Sequence, residues 1–218
     1  MYHYILFDLD GTLTDSKEGI FKSIHYALDK LGLPVPGDDV LRKFVGPPLW
    51  ESFMAHCGMT RQEAEQAVTV FRERYTVKGL FENAAVAGCP ELLRRLKDKG
   101  YRLALASSKP QSHCLPILER FGYADSLDVV AGSEGGGDED KAAVIRKALA
   151  RLGVPQEEMH RVLMVGDRMY DVRGAKDCGV DCVGVEFCGY ADDGELKNAG
   201  AVAVVGTVAE LERFILTP

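Results

Sequence analysis

The sequence predicts an α/β protein, a Rossmann-like parallel sheet with helices on both faces that carries an inserted all-helical domain. Six short apolar or alternating runs are spread along the chain, helical patterns separate most of them, and one long stretch holds helical patterns but no strand. Strands that alternate with helices suit a parallel sheet, because each crossover between parallel neighbours needs a helix's length of chain. The length of 218 residues is enough for one such domain with a modest insert.

The expected strands are Tyr4–Phe7 and residues 102–106, 127–131, 162–165, 182–185 and 202–205. Pro90 in a first turn, Leu92, Leu93 and Leu96 on one face and Gly100 as the stop define a helix. Val144, Ile145, Ala148, Leu149 and Leu152 share one face of another, ended by Gly153. Pro116 interrupts a further helical pattern and predicts a kink or a late start.

Residues 15–83 form the expected insert, with three or four helices, so the sheet domain comprises residues 1–14 and 84–218. Asp15 with Glu18 predicts a capping box for a helix whose apolar face is Ile20, Ile24, Ala27, Leu28 and Leu31. Thr60 with Glu63 predicts the same for Ala64, Ala67, Val68, Phe71 and Tyr75. Phe44, Trp50 and Phe53 read as the insert's core, and Arg42, Lys43, Arg72 and Arg74 as a helix surface basic for solubility, with contact to an anionic substrate tail as the alternative. The glycine run within residues 132–141 lacks the lysine of a phosphate-cradling loop and reads as a surface turn.

Composition excludes several classes. Hydrophobic residues make up 46% and charged residues 27%, an ordinary globular balance. A net charge of -7 argues against general nucleic-acid or anionic-membrane binding. The six cysteines contain no CxxC pair and read as reduced. The start at Met1 shows neither a basic flank nor an apolar stretch of membrane length, so a cytoplasmic location is expected.

Polar residues gather where the expected strands end, which is where open parallel sheets hold ligands. The first run delivers Asp8 and Asp10, the second Ser107 and Ser108, the third leads toward Lys141, and the fourth delivers Asp167 with Asp171 behind it. Two carboxylates two residues apart repel, and a cation offsets that repulsion. Asp8, Asp10 and Asp167 offer three hard oxygen donors with no His or Cys nearby, which favours Mg2+. Gly11 permits a sharp backbone turn, and Thr12 can bond a neighbouring carboxylate. With Ser107, Ser108 and Lys141 meeting the oxygens of a phosphate, Asp8 is placed as nucleophile and Asp10 as acid and base.

These residues make the chain resemble the haloacid dehalogenase superfamily, in its phosphoglycolate-phosphatase-like branch. The resemblance rests on the segment from Asp8 to Leu13, on Ser107 with its neighbours, on Lys141, on the segment from Gly166 to Asp171, and on the Phe44 to Leu49 segment of the insert. It implies a phosphatase that forms an aspartyl-phosphate on Asp8, with Mg2+ on Asp8, Asp167 and the backbone carbonyl of Asp10. It also implies phosphate contacts from Ser107, Ser108 and Lys141, a supporting Asp171, and a cap that closes over the site. Lys109 rivals Lys141, because Ala142 and Ala143 follow Lys141 where many relatives have proline. Lys141 is favoured, since Lys109 is expected to continue away into the next loop.

The substrate is expected to be a small phosphomonoester. Phosphoglycolate, a nucleotide 5'-monophosphate (5'-nucleotidase) and pyrophosphate (pyrophosphatase) all suit, as does a sugar phosphomutase. A dehalogenase would leave Asp10 idle, and a receiver-like module would need neither Asp10 nor the insert.

Overall fold

The computed structural model describes residues 1–134 and 139–217. In chain order its elements are β1 (Tyr4–Phe7), β2 (Thr14–Asp15), α1 (Lys17–Lys30), α2 (Asp38–Leu41), α3 (Leu49–Cys57), α4 (Arg61–Tyr75), β3 (Ala84–Ala85), α5 (Cys89–Asp98) and β4 (Arg102–Pro110). There follow α6 (Gln111–Arg120), β5 (Val129–Ser133), α7 (Lys141–Leu152), β6 (Val162–Gly166), α8 (Met169–Asp177), β7 (Asp181–Val185), α9 (Glu195–Ala199), β8 (Ala203–Val205) and α10 (Val208–Leu216). The glycine run expected to form a surface turn, residues 135–137, lies outside the described residues.

The chain divides into two compact units, one of Met1–Thr14 with Ala85–Pro218 and one of Asp15–Ala84. The first is built on a six-stranded parallel sheet in the order β5-β4-β1-β6-β7-β8. Chain order thus runs outward from β1 to β4 and β5, then reverses to β6 on the other side of β1. That reversal splits the connections above β1 and β6 and opens a crevice at their carboxyl ends.

The sequence explains β1 directly. Tyr4, Ile5, Leu6 and Phe7 are all buried, as a central strand covered on both faces requires. Tyr4 and Leu6 join one core with Ala104, Met164, Val172 and the apolar face of α7, Val144, Ile145 and Ala148. Ile5 and Phe7 point to the opposite face by the two-residue alternation of a strand. Leu92, Leu93 and Leu96 of α5, which packs against β4, are buried outside that first core. The expected helix through Pro116 does not start late: α6 runs from Gln111 to Arg120 with the proline inside it.

The second unit is helical. Along α1, Ile20, Phe21, Ile24, Ala27 and Leu28 are buried, and Ala64, Ala67, Val70, Phe71 and Tyr75 are buried along α4. Val70, not the expected Val68, completes the α4 face. Phe44 packs edge-on against Phe53 with centroids 5.2 Å apart. Trp50 departs from the expected core role, being half-buried beneath the Arg61 guanidinium, 3.6 Å from its carbon to the ring centroid. Arg74 is engaged within the unit by Glu82, at 2.7 and 2.9 Å.

Thr60 and Glu63 form the expected capping box on α4. Asp15 and Glu18 do not form one. Ser16 is the N-cap of α1, Asp15 accepts from the Lys17 N–H at 3.1 Å, and Glu18 pairs with Lys22. Asp15 belongs to β2, whose extended backbone holds it one residue too early to cap the helix. Among the described residues no helix is long and apolar enough to cross a membrane, and no disulfide links the cysteines.

Candidate active site

The parallel ladder continues one residue past β1, where the Asp8 N–H donates to Val165 O at 2.9 Å. The chain then folds tightly: the N–H groups of Thr12, Leu13 and Thr14 all converge on Leu9 O, and the Gly11 N–H donates to Thr14 O at 2.7 Å. Gly11 has φ +87, a conformation other residues rarely adopt. A Cβ there would lie 2.0 Å from Asp167 Oδ2 and 2.7 Å from the Tyr190 ring, so the glycine is required by space as well as by backbone.

Across the crevice, β6 ends at Gly166 and delivers Asp167. The Arg168 N–H donates to Asp171 Oδ2 at 3.0 Å, which fixes Asp171 in the first turn of α8. Arg168 is itself held by Glu195, which accepts from the Arg168 Nε at 2.9 Å and from the N–H groups of Met169 (2.9 Å) and Asp192 (3.0 Å).

Lys141 is the first residue of α7, set there because Asp140 caps the helix by accepting from the Ala143 N–H at 2.7 Å. Its ammonium bridges Asp8 Oδ1 and Asp171 Oδ1, each at 2.7 Å. Ser107 is buried where the regular pairing of β4 with β5 breaks off, while Ser108 is half-exposed. Thr12 Oγ1 donates to Asp167 Oδ1 at 3.3 Å.

Asp8, Asp167 and Asp171 are all buried, and one carboxylate oxygen of each lies within 4.8 Å of the others. Burial pushes the Asp8 carboxyl up to about 6; Lys141 opposes the rise and Asp171 adds to it. Asp167 is raised well above its ordinary value, first by burial and then by the charges of Asp171 and Asp8. Burial works against the Lys141 ammonium, yet Asp171 and Asp8 outweigh it and its pKa is raised.

Asp167 Oδ2 is buried without a hydrogen-bond partner in the described structure. A buried carboxylate oxygen left bare is costly, and a cation satisfies it. Three clustered carboxylates, all hard oxygen donors, fit a hard divalent cation.

Asp10 lies apart from this triad of side chains. Lys109 Nζ holds it, 2.7 Å from Oδ1 and 2.6 Å from Oδ2. The expectation that Lys109 continues away is therefore corrected. The pairing of β4 with β5 is irregular between Ser107 and Pro110, and this bulge re-aims the lysine. Arg168 lies inside the Gly166 to Asp171 segment, but its pairing with Glu195, and Glu195 and Tyr190 themselves, carry no local sequence signal, because the partners lie far along the chain.

The family profile described as haloacid dehalogenase-like hydrolase matches residues 5–185. A 5'-nucleotidase of Pseudomonas aeruginosa is 42% identical, over 90% of this chain and 87% of its own. The tyrosine-protein kinase PtkA of Mycobacterium tuberculosis is 39% identical, over 97% of this chain and 72% of its own. The crystal structure of a predicted phosphatase from Clostridium acetobutylicum superposes with a TM-score of 0.92 at 43% identity, covering 99% of each chain.

Proposed function

The chain belongs to the haloacid dehalogenase-like hydrolase family and is a phosphatase of it, and from that premise we propose that it hydrolyses small phosphate monoesters with Mg2+, using Asp8 as nucleophile. The observation that carries this reading is the buried bridge from Asp8 through Lys141 to Asp171, beside the unpartnered Asp167 Oδ2, at the reversal of strand order.

In this reading an Asp8 oxygen attacks phosphorus as the bond to the ester oxygen breaks, and Asp10 gives its proton to the leaving oxygen. Asp10 then takes a proton from a water that attacks the aspartyl-phosphate, which frees Asp8 and inorganic phosphate. Lys141 orients Asp8 and keeps positive charge beside it. Ser107 Oγ and the Ser108 N–H supply hydrogen bonds to the phosphoryl oxygens. Asp8, Asp167 and the carbonyl of Asp10 would hold the Mg2+, with Asp171 supporting them, and the ion would offset the repulsion between phosphate and carboxylates.

Among the substrates the sequence leaves open, a nucleoside 5'-monophosphate comes first, because the 42%-identical relative is named a 5'-nucleotidase. The test is phosphate release from nucleoside 5'-monophosphates, phosphoglycolate and pyrophosphate, with Mg2+ and with a chelator. Hydrolysis that needs Mg2+ and falls by roughly three orders of magnitude or more in Asp8→Asn is expected. Turnover retained by that variant would reject Asp8 as nucleophile. Phosphoryl transfer to tyrosine, the activity in the kinase relative's name, is separated by incubation with labelled ATP; label lasting on tyrosine, with no hydrolysis of any ester, would favour it.

A further inference from the structure

Two buried lysines reach this cluster of carboxylates, and they divide it between them. Lys141 is committed to Asp8 and Asp171. Lys109 reaches Asp10 at both oxygens, 2.7 and 2.6 Å away, with side-chain exposures of only 6% for the lysine and 14% for the aspartate. Contact with both oxygens holds the carboxylate in place.

The backbone is shaped to make this contact. From Ser107 to Pro110, β4 advances three residues while β5 advances from Gly132 to Ser133. Ser108 and Lys109 are thus extra to the ladder, and the Lys109 N–H turns onto Ser107 Oγ at 3.4 Å. Bulges beside active sites commonly re-aim a side chain in this way. A long, flexible lysine held out of water loses rotamer freedom and hydration, a cost that its two contacts with Asp10 offset.

We infer that Lys109 is a positioning residue for Asp10, its ammonium holding the carboxyl group where a proton reaches the leaving oxygen, while Lys141 serves the nucleophile. The inference rests on the reading of Asp10 as the proton-transfer group. In the first step the bond from Asp8 to phosphorus forms as the ester P–O bond breaks. The electron pair of the broken bond stays on the leaving oxygen, and the proton from Asp10 joins it there. An alkoxide is too basic to depart without that proton, whereas p-nitrophenolate departs as a stable anion. A displaced Asp10 therefore penalises an alkyl ester far more than a nitrophenyl ester. A lysine that clamped the phosphate, or merely supported the fold, would affect both alike, since the phosphoryl group is common to them.

The experiment compares kcat/KM for glycerol 2-phosphate and p-nitrophenyl phosphate, which covers only the steps through formation of the aspartyl-phosphate. Wild type, Lys109→Met, Asp10→Asn and the double variant are each assayed with both esters on one preparation, so the ratio is independent of the folded fraction. The alkyl-to-aryl ratio is expected to fall about tenfold or more in Lys109→Met. The double variant is expected to show no lower ratio than Asp10→Asn alone. Equal losses with both esters in Lys109→Met would overturn the inference, as would a double variant whose ratio falls by the product of the single effects. Wild-type protein that releases phosphate neither from these esters nor from nucleoside 5'-monophosphates would overturn the hydrolase reading itself, and the inference with it.

Discussion

Replacing Gly11 with alanine tests whether the turn after Asp8 is shaped by the site or by the backbone alone. At φ +87 an L-residue costs about 1–2 kcal/mol. The new Cβ would stand 2.0 Å from Asp167 Oδ2 and 2.5 Å from its Cγ, so the carboxylate must retreat. Forcing a methyl group into a packed site costs about 1–3 kcal/mol more. Gly100→Ala is the matched control, because Gly100 has φ +85 and a Cβ there meets nothing within 4 Å. Urea denaturation in the presence of a chelator should place Gly100→Ala about 1–2 kcal/mol below wild type and Gly11→Ala about 2–5 kcal/mol below it. Calorimetric titration of the folded variants should show Mg2+ binding weakened in Gly11→Ala and unchanged in Gly100→Ala. Equal stability of the two variants, with wild-type Mg2+ affinity in Gly11→Ala, would refute the claim that Gly11 makes room for Asp167.

Two further outcomes follow from charges away from the triad. Glu195→Ala removes the buried carboxylate that accepts from Arg168 Nε and from the Met169 and Asp192 N–H groups, and should lower stability by about 3–5 kcal/mol, measured by the same denaturation. Asp128 is lowered below the usual carboxylate range: burial alone would raise it, but Lys97 and the Leu103 N–H outweigh burial. A lowered folded value means that the carboxylate's stabilisation is complete above its unfolded value of about 4 and is lost as pH falls through the folded one. The stability gap between wild type and Asp128→Asn should therefore be constant near neutrality and close in acid; a gap that widens below pH of about 4 would contradict the sign.

Much of the fold was legible because local and global signals agreed. The run from Tyr4 to Phe7 is apolar at every position, as a strand buried on both faces demands, and its ends match β1. Lys141 is legible as the lysine that follows the third expected strand and opens a helix, and the structure starts α7 there. Misreadings arose where a neighbouring element outcompeted a local signal. Asp15 has the right spacing to Glu18 for a capping box but is drawn into the extended β2. Lys109 lies on a bulge, and a bulge is defined by its partner strand, which sequence spacing does not reveal. The grip of Glu195 on Arg168 spans 27 residues and carries no periodicity that sequence reading can detect.

The most direct test of the account is covalent. Protein mixed with p-nitrophenyl phosphate and Mg2+, quenched in acid and mapped by mass spectrometry, should carry a phosphoryl group on Asp8. The group should build up further in Asp10→Asn, where hydrolysis of the intermediate lacks its base, and be absent in Asp8→Asn. Nitrophenolate release by the Asp8→Asn variant at the wild-type rate, or a phosphoryl group found on another residue, would contradict it.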